Sequence, residues 1–202
     1  MGNHRECEMR KGDQGGEVMI PLAKEMRLTY SEYARLPETG KRYELYDGRL
    51  MVVPAPSSKH QIVLGNLFER LHAHARVHRL GRVFASPIDL ILDSDNVCQP
   101  DLLFVGQERS HLITDRGVEG PPDLVVEILS GATEARDRRE KFQLYFLFGI
   151  SEYWIIDPEG KTLETYRRAP DRYELIRTLH PPDTLDPPQF PGLTLRLEDL
   201  WR

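Results

Sequence analysis

Apolar residues in this 202-residue chain follow two patterns: short runs of period two, and one long run at three- and four-residue spacing. Arg42-Tyr43-Glu44-Leu45-Tyr46 and Arg49-Leu50-Met51-Val52-Val53 flank Asp47-Gly48. An Asp-Gly pair between β-prone runs predicts a two-residue hairpin, with Glu44 in mid-strand on the face opposite Tyr43 and Leu45. Upstream, Thr29 and Glu32 have capping-box spacing, so a short helix stopped by Pro37 is expected. Ser57 or Ser58 opens a long helix that carries Val63, Leu64, Leu67, Phe68 and Leu71 on one face and stops at Gly81.

Beyond that helix, residues 83–85, 88–92, 97–105 and 122–130 read as strands, and 106–120 as a polar surface loop with one helical turn. A helix over 133–148 closes at Gly149, and 153–157 returns to strand. Half-polar runs at 163–168 and 172–179 predict an edge hairpin, followed by a proline-rich extended loop and a short closing element over 195–201. Strands interleaved with helices, without continuous βαβ alternation and without a GxGxxG turn, give an α/β class: a mixed sheet flanked by helices.

Composition narrows the class of protein. Hydrophobic residues at 40% and charged residues at 29% describe a soluble globular chain. Its length fits one domain over 26–202, with 1–25 as a flexible leader that has no apolar signal segment. No apolar run approaches the roughly 20 residues that span a bilayer. A net charge of -5 argues against coating nucleic acid by bulk charge but not against a local basic face. Cys7 and Cys98 show neither CxxC nor Cys/His spacing, so no disulfide framework or zinc site is indicated, and a reducing cytoplasm fits.

Two of the apolar strands carry acids that an ordinary core would not hold: Asp101 opens one and Glu127 interrupts another. If those strands and that of Glu44 adjoin in one sheet, three carboxylates converge at a rim, an oxygen-only donor set of the kind Mg²⁺ or Mn²⁺ prefers. Asp137, Lys141 and Tyr145, four residues apart, share a helix face. Lys141 either points back at Glu127 or makes an ordinary surface pair with Asp137, and spacing alone favours the surface pair. His60 reads on its own as a capping or surface residue, and Asp89 as either solvent-facing or an auxiliary to the acids. Asp123 and Asp157 read as turn formers, and Glu152 as a packing residue with a surface charge. No GxSxG elbow supports acyl transfer. A carboxylate-pair glycosidase, which needs an open sugar cleft, stands as a minor reading.

Taken together, Tyr43-Glu44-Leu45 with Asp47-Gly48, Pro54-Ala55-Pro56 with His60, Gln99-Pro100-Asp101, the run from Pro122 to Ser130, Asp137 with Lys141 and Tyr145, and Gly149-Ile150-Ser151-Glu152-Tyr153-Trp154 with Asp157 resemble the Uma2 family. That family is placed in the PD-(D/E)XK restriction-endonuclease-like superfamily, and the resemblance covers roughly residues 26–173. It implies a nuclease core in which Asp101 and Glu127 are the two halves of the acidic motif and Glu44 is an additional acid. All three would bind Mg²⁺ or Mn²⁺, with no organic cofactor. The superfamily places a lysine two positions after Glu127, where this chain has Leu129; the Uma2-like arrangement moves it to Lys141, which reverses the reading from spacing. The implied activity is metal-dependent endonucleolytic hydrolysis of DNA phosphodiester bonds in a bacterial cytoplasm, with Lys141 orienting the attacking water. His60, Asp89, Asp137 and Tyr145 would support the acids, and Arg136, Arg138 and Arg139 would touch the DNA backbone. Cleaving both strands needs two sites, hence a homodimer. The alternative is a nuclease-fold protein, weakly active or inactive, that binds nucleic acid or protein.

Overall fold

The computed structural model describes residues 27–37, 40–131 and 134–202. The leader expected over 1–25 lies outside the described residues. In chain order the first half holds α1 (Tyr30–Tyr33), β1 (Arg42–Tyr46), β2 (Arg49–Val53), α2 (Ser58–His78), β3 (Gly81–Ala85), β4 (Leu90–Ile91), β5 (Val97–Cys98) and β6 (Leu102–Gly106). A 3₁₀ turn over Gln107–Leu112 leads to β7 (Ile113–Thr114), β8 (Gly117–Glu119) and β9 (Leu124–Ile128). Next come α3 (Glu134–Arg136), a π turn over Asp137–Lys141 and α4 (Phe142–Leu147). The chain closes with β10 (Glu152–Asp157), β11 (Thr162–Arg168), β12 (Tyr173–Leu179), β13 (Thr184–Leu185), β14 (Leu195–Arg196) and a last 3₁₀ turn over Leu197–Trp201.

Local chemistry sets several of these boundaries. Asp47 and Gly48 adopt positive φ values of 48° and 74°. That is the type I′ geometry whose twist matches the strands it joins, and it pairs Tyr46 with Arg49. At the start of α1, Glu32 accepts the Thr29 backbone N–H at 2.8 Å. Ser57 caps α2, its hydroxyl accepting the His60 N–H at 3.2 Å. The helix ends one turn before the expected glycine: Arg79 takes the left-handed conformation, φ 55°, and returns its N–H to Ala75. Gly81 meets a different need, because a Cβ there would lie 2.1 Å from the Val105 carbonyl oxygen of the neighbouring strand.

The strands form two mixed six-stranded sheets and a short pair. One sheet has the order β2-β1-β5-β4-β8-β7, and the other β12-β11-β10-β9-β6-β3. Side chains alternate across the second sheet. Leu102, Phe104, Leu124, Val126 and Ile128 pack with α2 and with Phe190, Leu197 and Leu200 near the C-terminus. On the other face Leu103, Val105, Val125 and Ile155 pack with Tyr145 of α4 and with Tyr46, Leu90 and Val118 of the first sheet. Leu45, Ile91 and Val97 line the far face of the first sheet, under Tyr30 and Tyr33 of α1. The layers thus run α2, sheet, α4 with sheet, α1, an α/β architecture as the residue pattern predicts. Residues 106–120 are not a simple surface loop. Val118 is fully buried, and β8 runs parallel to β4, a long-range pairing that local polarity does not reveal.

Candidate functional site

The β6/β9 pairing fixes the centre of the site. These strands are antiparallel with Leu102 opposite Val126, so Asp101 and Glu127 stand opposite each other one step further along the ladder. Asp101 Oδ2 accepts the Ile128 backbone N–H at 2.8 Å and the His60 Nε2–H at 3.0 Å. Both bonds converge on one oxygen, and among the described residues Oδ1 makes none. Glu127 lies on the α4 side of the sheet, where its Oε1 accepts from Lys141 Nζ at 2.8 Å and from the Tyr145 hydroxyl at 2.7 Å.

Glu44 reaches the same place from the other sheet. The acid-bearing strands do not adjoin in one sheet as expected: β1 belongs to the first sheet, β6 and β9 to the second. The two sheets meet here because the Gln99 N–H, just ahead of Pro100-Asp101, donates to Glu44 Oε1 at 2.8 Å. Lys141 Nζ lies 3.3 Å from that same oxygen and 3.5 Å from Asp137 Oδ1, so one ammonium sits among three carboxylates. The Tyr46 hydroxyl donates to the second Glu44 oxygen at 2.9 Å, and Arg136 approaches it at 3.6 Å. With donors around both oxygens, Glu44 is held as a partner for cations already present.

The π turn explains how Asp137, Lys141 and Tyr145 all face inward. Eight residues of ideal α-helix carry a side chain about 80° past its starting direction. A π turn winds less per residue and takes back part of that excess, a distortion frequent at functional sites. Asp137, Lys141 and Tyr145 are all buried.

Electrostatics of the cluster are unbalanced. Four carboxylates, Glu44, Asp101, Glu127 and Asp137, share a buried region with Lys141 and Arg136. Burial pushes the Glu127 carboxyl well above the usual carboxylate range, and Asp137, Asp101 and Glu44 push it the same way, against the pull of Lys141. Burial also works against the Lys141 charge, but Glu127 and Glu44 outweigh it and hold the ammonium firmly protonated. A hard divalent cation suits this surplus of oxygen donors. Among the described residues no group of three or more His, Cys, Asp or Glu side chains is arranged to hold a metal ion. A cation on Asp101 and Glu127 would therefore complete its shell with water and substrate oxygens, as Mg²⁺ commonly does. The cleft they line, between the Pro54 and Pro56 segment and Ser130, measures about 30 Å³.

Not every residue singled out in the sequence converges. His60 and Tyr145 touch the acids directly and Asp137 joins them through Lys141, whereas Asp89 connects through Gln99, whose amide donates to it at 2.9 Å. Gln99 is the main omission from the sequence reading: its backbone holds Glu44 and its side chain holds Asp89. Its place in Gln99-Pro100-Asp101 was the available signal. Of the three arginines, Arg138 is bound by the Glu164 carboxylate at 2.8 and 3.3 Å, and Arg136 lies against Glu44 and the Tyr46 ring. Arg139 is exposed. The basic end of α2 lies elsewhere, since His78 is about 27 Å of helix beyond His60. Glu152 is buried, not at the surface, with Arg167 at 3.1 Å and the Trp154 indole donating to it.

Known proteins share this arrangement of chain. A solved structure from Anabaena variabilis ATCC 29413, described as "a putative nuclease belonging to DUF820", superposes with a TM-score of 0.70 at 24% identity, covering 86% of this chain and 97% of that one. The likeness is one of fold. The uncharacterized proteins sll1609 and slr1290 of Synechocystis sp. (strain ATCC 27184 / PCC 6803 / Kazusa) are each 26% identical, over 164 and 188 residues. The alignments cover 80% and 90% of this chain and 92% and 95% of those proteins. The family description "Uma2: Putative restriction endonuclease" matches residues 30–198, which include every residue of the carboxylate cluster. By that match across most of its length, the chain belongs to the Uma2 family.

Proposed function

We propose that this protein is a divalent-metal-dependent endonuclease that hydrolyses DNA phosphodiester bonds at the Asp101–Glu127 cleft. The observation that carries the reading is the juxtaposition of two opposed strand-end carboxylates with a buried lysine 2.8 Å from one of them. Asp101 and Glu127 hold Mg²⁺ or Mn²⁺, which when bound polarises a phosphoryl oxygen and lowers the pKa of a bound water. His60 and the Ile128 N–H engage one oxygen of Asp101 and leave the other for the cleft. Lys141, fixed by Glu127, Glu44 and Asp137, presents positive charge where an anionic phosphate enters. Glu44, Tyr145 and Gln99 set the position of that lysine and of Glu127. Arg139, exposed on the π turn, would meet the DNA backbone, and two protomers acting together would cut both strands.

Incubation with plasmid in Mn²⁺ tests the assignment. Nicking by wild type and none by Asp101→Ala or Lys141→Ala supports it; equal nicking by all three, or none by wild type at high concentration, sinks it. A second reading rests on the same lysine: an ammonium enclosed by three carboxylates is a complete structural ion network. A nuclease-fold binding module would show DNA retention without cleavage in that assay.

A further inference from the structure

A second cavity lies one residue along α2 from the carboxylate cleft. Its volume is about 190 Å³, against about 30 Å³ for the cleft. Lys59, next to His60, walls one side with Ile62, and the turn after β10, from Pro158 to Lys161, walls the other. Trp201, in the closing 3₁₀ turn, completes the lining. Strands β9 and β10 run parallel with Ile156 beside Ile128, so both end at one edge of the sheet. The Glu127–Ser130 cleft and the Pro158–Lys161 pocket are therefore neighbours.

The two differ in chemistry. The cleft is lined by charged groups, with Glu44, Glu127 and Lys141 all buried. The pocket is mixed: Ile62, 48% exposed on the surface of α2, lines it with Val63, Pro158 and Trp201, beside the charged side chains of Lys59, Glu159 and Lys161. Its rim carries two lysines and one glutamate, a net positive charge of one. Lys59 pairs with Glu159 at 2.6 Å, and Lys161 has no ion-pair partner among the described residues. Apolar and aromatic side chains beside a lysine outside any ion pair are the combination that holds single-stranded nucleic acid, the bases against the ring and the backbone on the cation. A base inside a duplex is stacked on both faces and paired along its edge, so it does not enter such a slot.

We propose that the pocket seats an unstacked nucleobase of a single-stranded DNA substrate whose adjoining phosphodiester reaches Asp101 and Glu127. The identity of the neighbouring site rests on the nuclease reading above; the binding itself does not. The substrate class of the cleft is then single-stranded or locally melted DNA, selected because the base must leave the stack for the phosphate to approach.

Binding is measured on the Asp101→Asn protein without divalent cation, by titration with oligothymidylate of about a dozen nucleotides, long enough for one binding site. The readout is tryptophan fluorescence. The chain has two tryptophans and Trp154 is fully buried, so a change on binding reports Trp201. The expected result is saturable quenching by the single strand, lost in an abasic oligonucleotide of the same length, with the matching duplex bound at least about tenfold more weakly. Because Trp201 also packs on the core, the decisive variant is Ile62→Glu. It weakens single-strand binding about tenfold while leaving the thermal midpoint in place. Equal binding of duplex, or an Ile62→Glu protein that binds like its parent, overturns the pocket assignment. Cleavage separates the two readings: retained single-strand binding with no cleavage by wild type in Mn²⁺ removes the nuclease and leaves the pocket, whereas preferential cutting of duplex removes the pocket and leaves the nuclease.

Discussion

The antiparallel pair β6/β9 carries the same short motif at both of its ends, and the two copies behave differently. Pro100-Asp101 precedes one strand and Pro122-Asp123 precedes the other. Each aspartate accepts a backbone N–H from the end of the opposite strand, Asp101 from Ile128 at 2.8 Å and Asp123 from Gly106 at 2.7 Å. At Asp123 the second oxygen meets Arg109 at 3.2 Å, so that end is closed by one carboxylate and one cation. At Asp101 both bonds fall on a single oxygen, and the surroundings are His60, three other acids, Lys141 and Arg136. A strand-start aspartate is thus a brace where its charge is matched and a candidate ligand where it is left in surplus. The motif alone does not separate these roles; the balance of charge around it does.

The largest expected effect comes from removing the cation at each end. Lys141 is 6% exposed and faces three carboxylates, whereas Arg109 is 33% exposed and faces one. Lys141→Met strands buried acids and costs about 3–5 kcal/mol of stability, while breaking the partly exposed pair by Arg109→Met costs about 1 kcal/mol or less. Chemical denaturation midpoints of the two variants measure the difference, and equal losses would erase the distinction between the ends. Next in size is activity. Asp101→Asn keeps the shape of the side chain and removes its charge, and plasmid cleavage in Mn²⁺ should fall about 10²–10³-fold, the scale of removing one preorganised charge at a reacting centre. Asp123→Asn should cut at the wild-type rate at temperatures where it stays folded.

Much of this was legible in the residues, and the parts that were not share a cause. Asp47-Gly48 dictates a type I′ turn because both positions need positive φ, and Ser57 and the apolar face of α2 fix the long helix, so these elements follow from neighbours in sequence. The pairing of β8 with β4 and the placing of β1 in a separate sheet from β6 depend on residues far apart, and period-two patterns carry no partner address. Likewise Asp137–Lys141 spacing looks like a surface ion pair until a π turn rotates it inward. Asp123 reads as a turn former because its bond to Gly106 spans 17 residues. Asp101 and Glu127 stood out for the opposite reason: an acid in a fully apolar strand conflicts with its local environment, and such conflicts concentrate at functional sites.

A smaller effect belongs to the brace. Asp123→Ala leaves the Gly106 N–H and the Arg109 guanidinium without their acceptor, a loss of about 1–3 kcal/mol. For a chain of this size that is a fall of about 2–12 °C in thermal midpoint. Cleavage per folded molecule should be unchanged, and a loss of activity beyond the loss of folded protein would show that the two ends of the strand pair are coupled.

The smallest effect is a slope with pH, and it reports the surplus charge directly. Burial, with Asp137, Asp101 and Glu44, raises the Glu127 carboxyl well above its usual value of 4.5. Between that value and the raised one, the folded protein holds a proton that the unfolded chain has released. The unfolded state then binds fewer protons, so stability falls as pH rises through this window, by at most about 1.4 kcal/mol per pH unit for one group. Lys141 does not contribute there: its value is raised too, and its share of stability is lost only as pH rises through that folded value, far above this range. Thermal midpoints in chelator should decline more steeply, from about pH 5.5 upward, for wild type and for Asp123→Ala than for Glu127→Gln. Added Mg²⁺ should flatten the wild-type slope, because a cation held by Asp101 and Glu127 takes the place of the proton and neutralises the same surplus. A wild-type slope that Mg²⁺ leaves untouched would mean that no cation takes the proton's place at Asp101 and Glu127, and that this end of the strand pair is not a metal site.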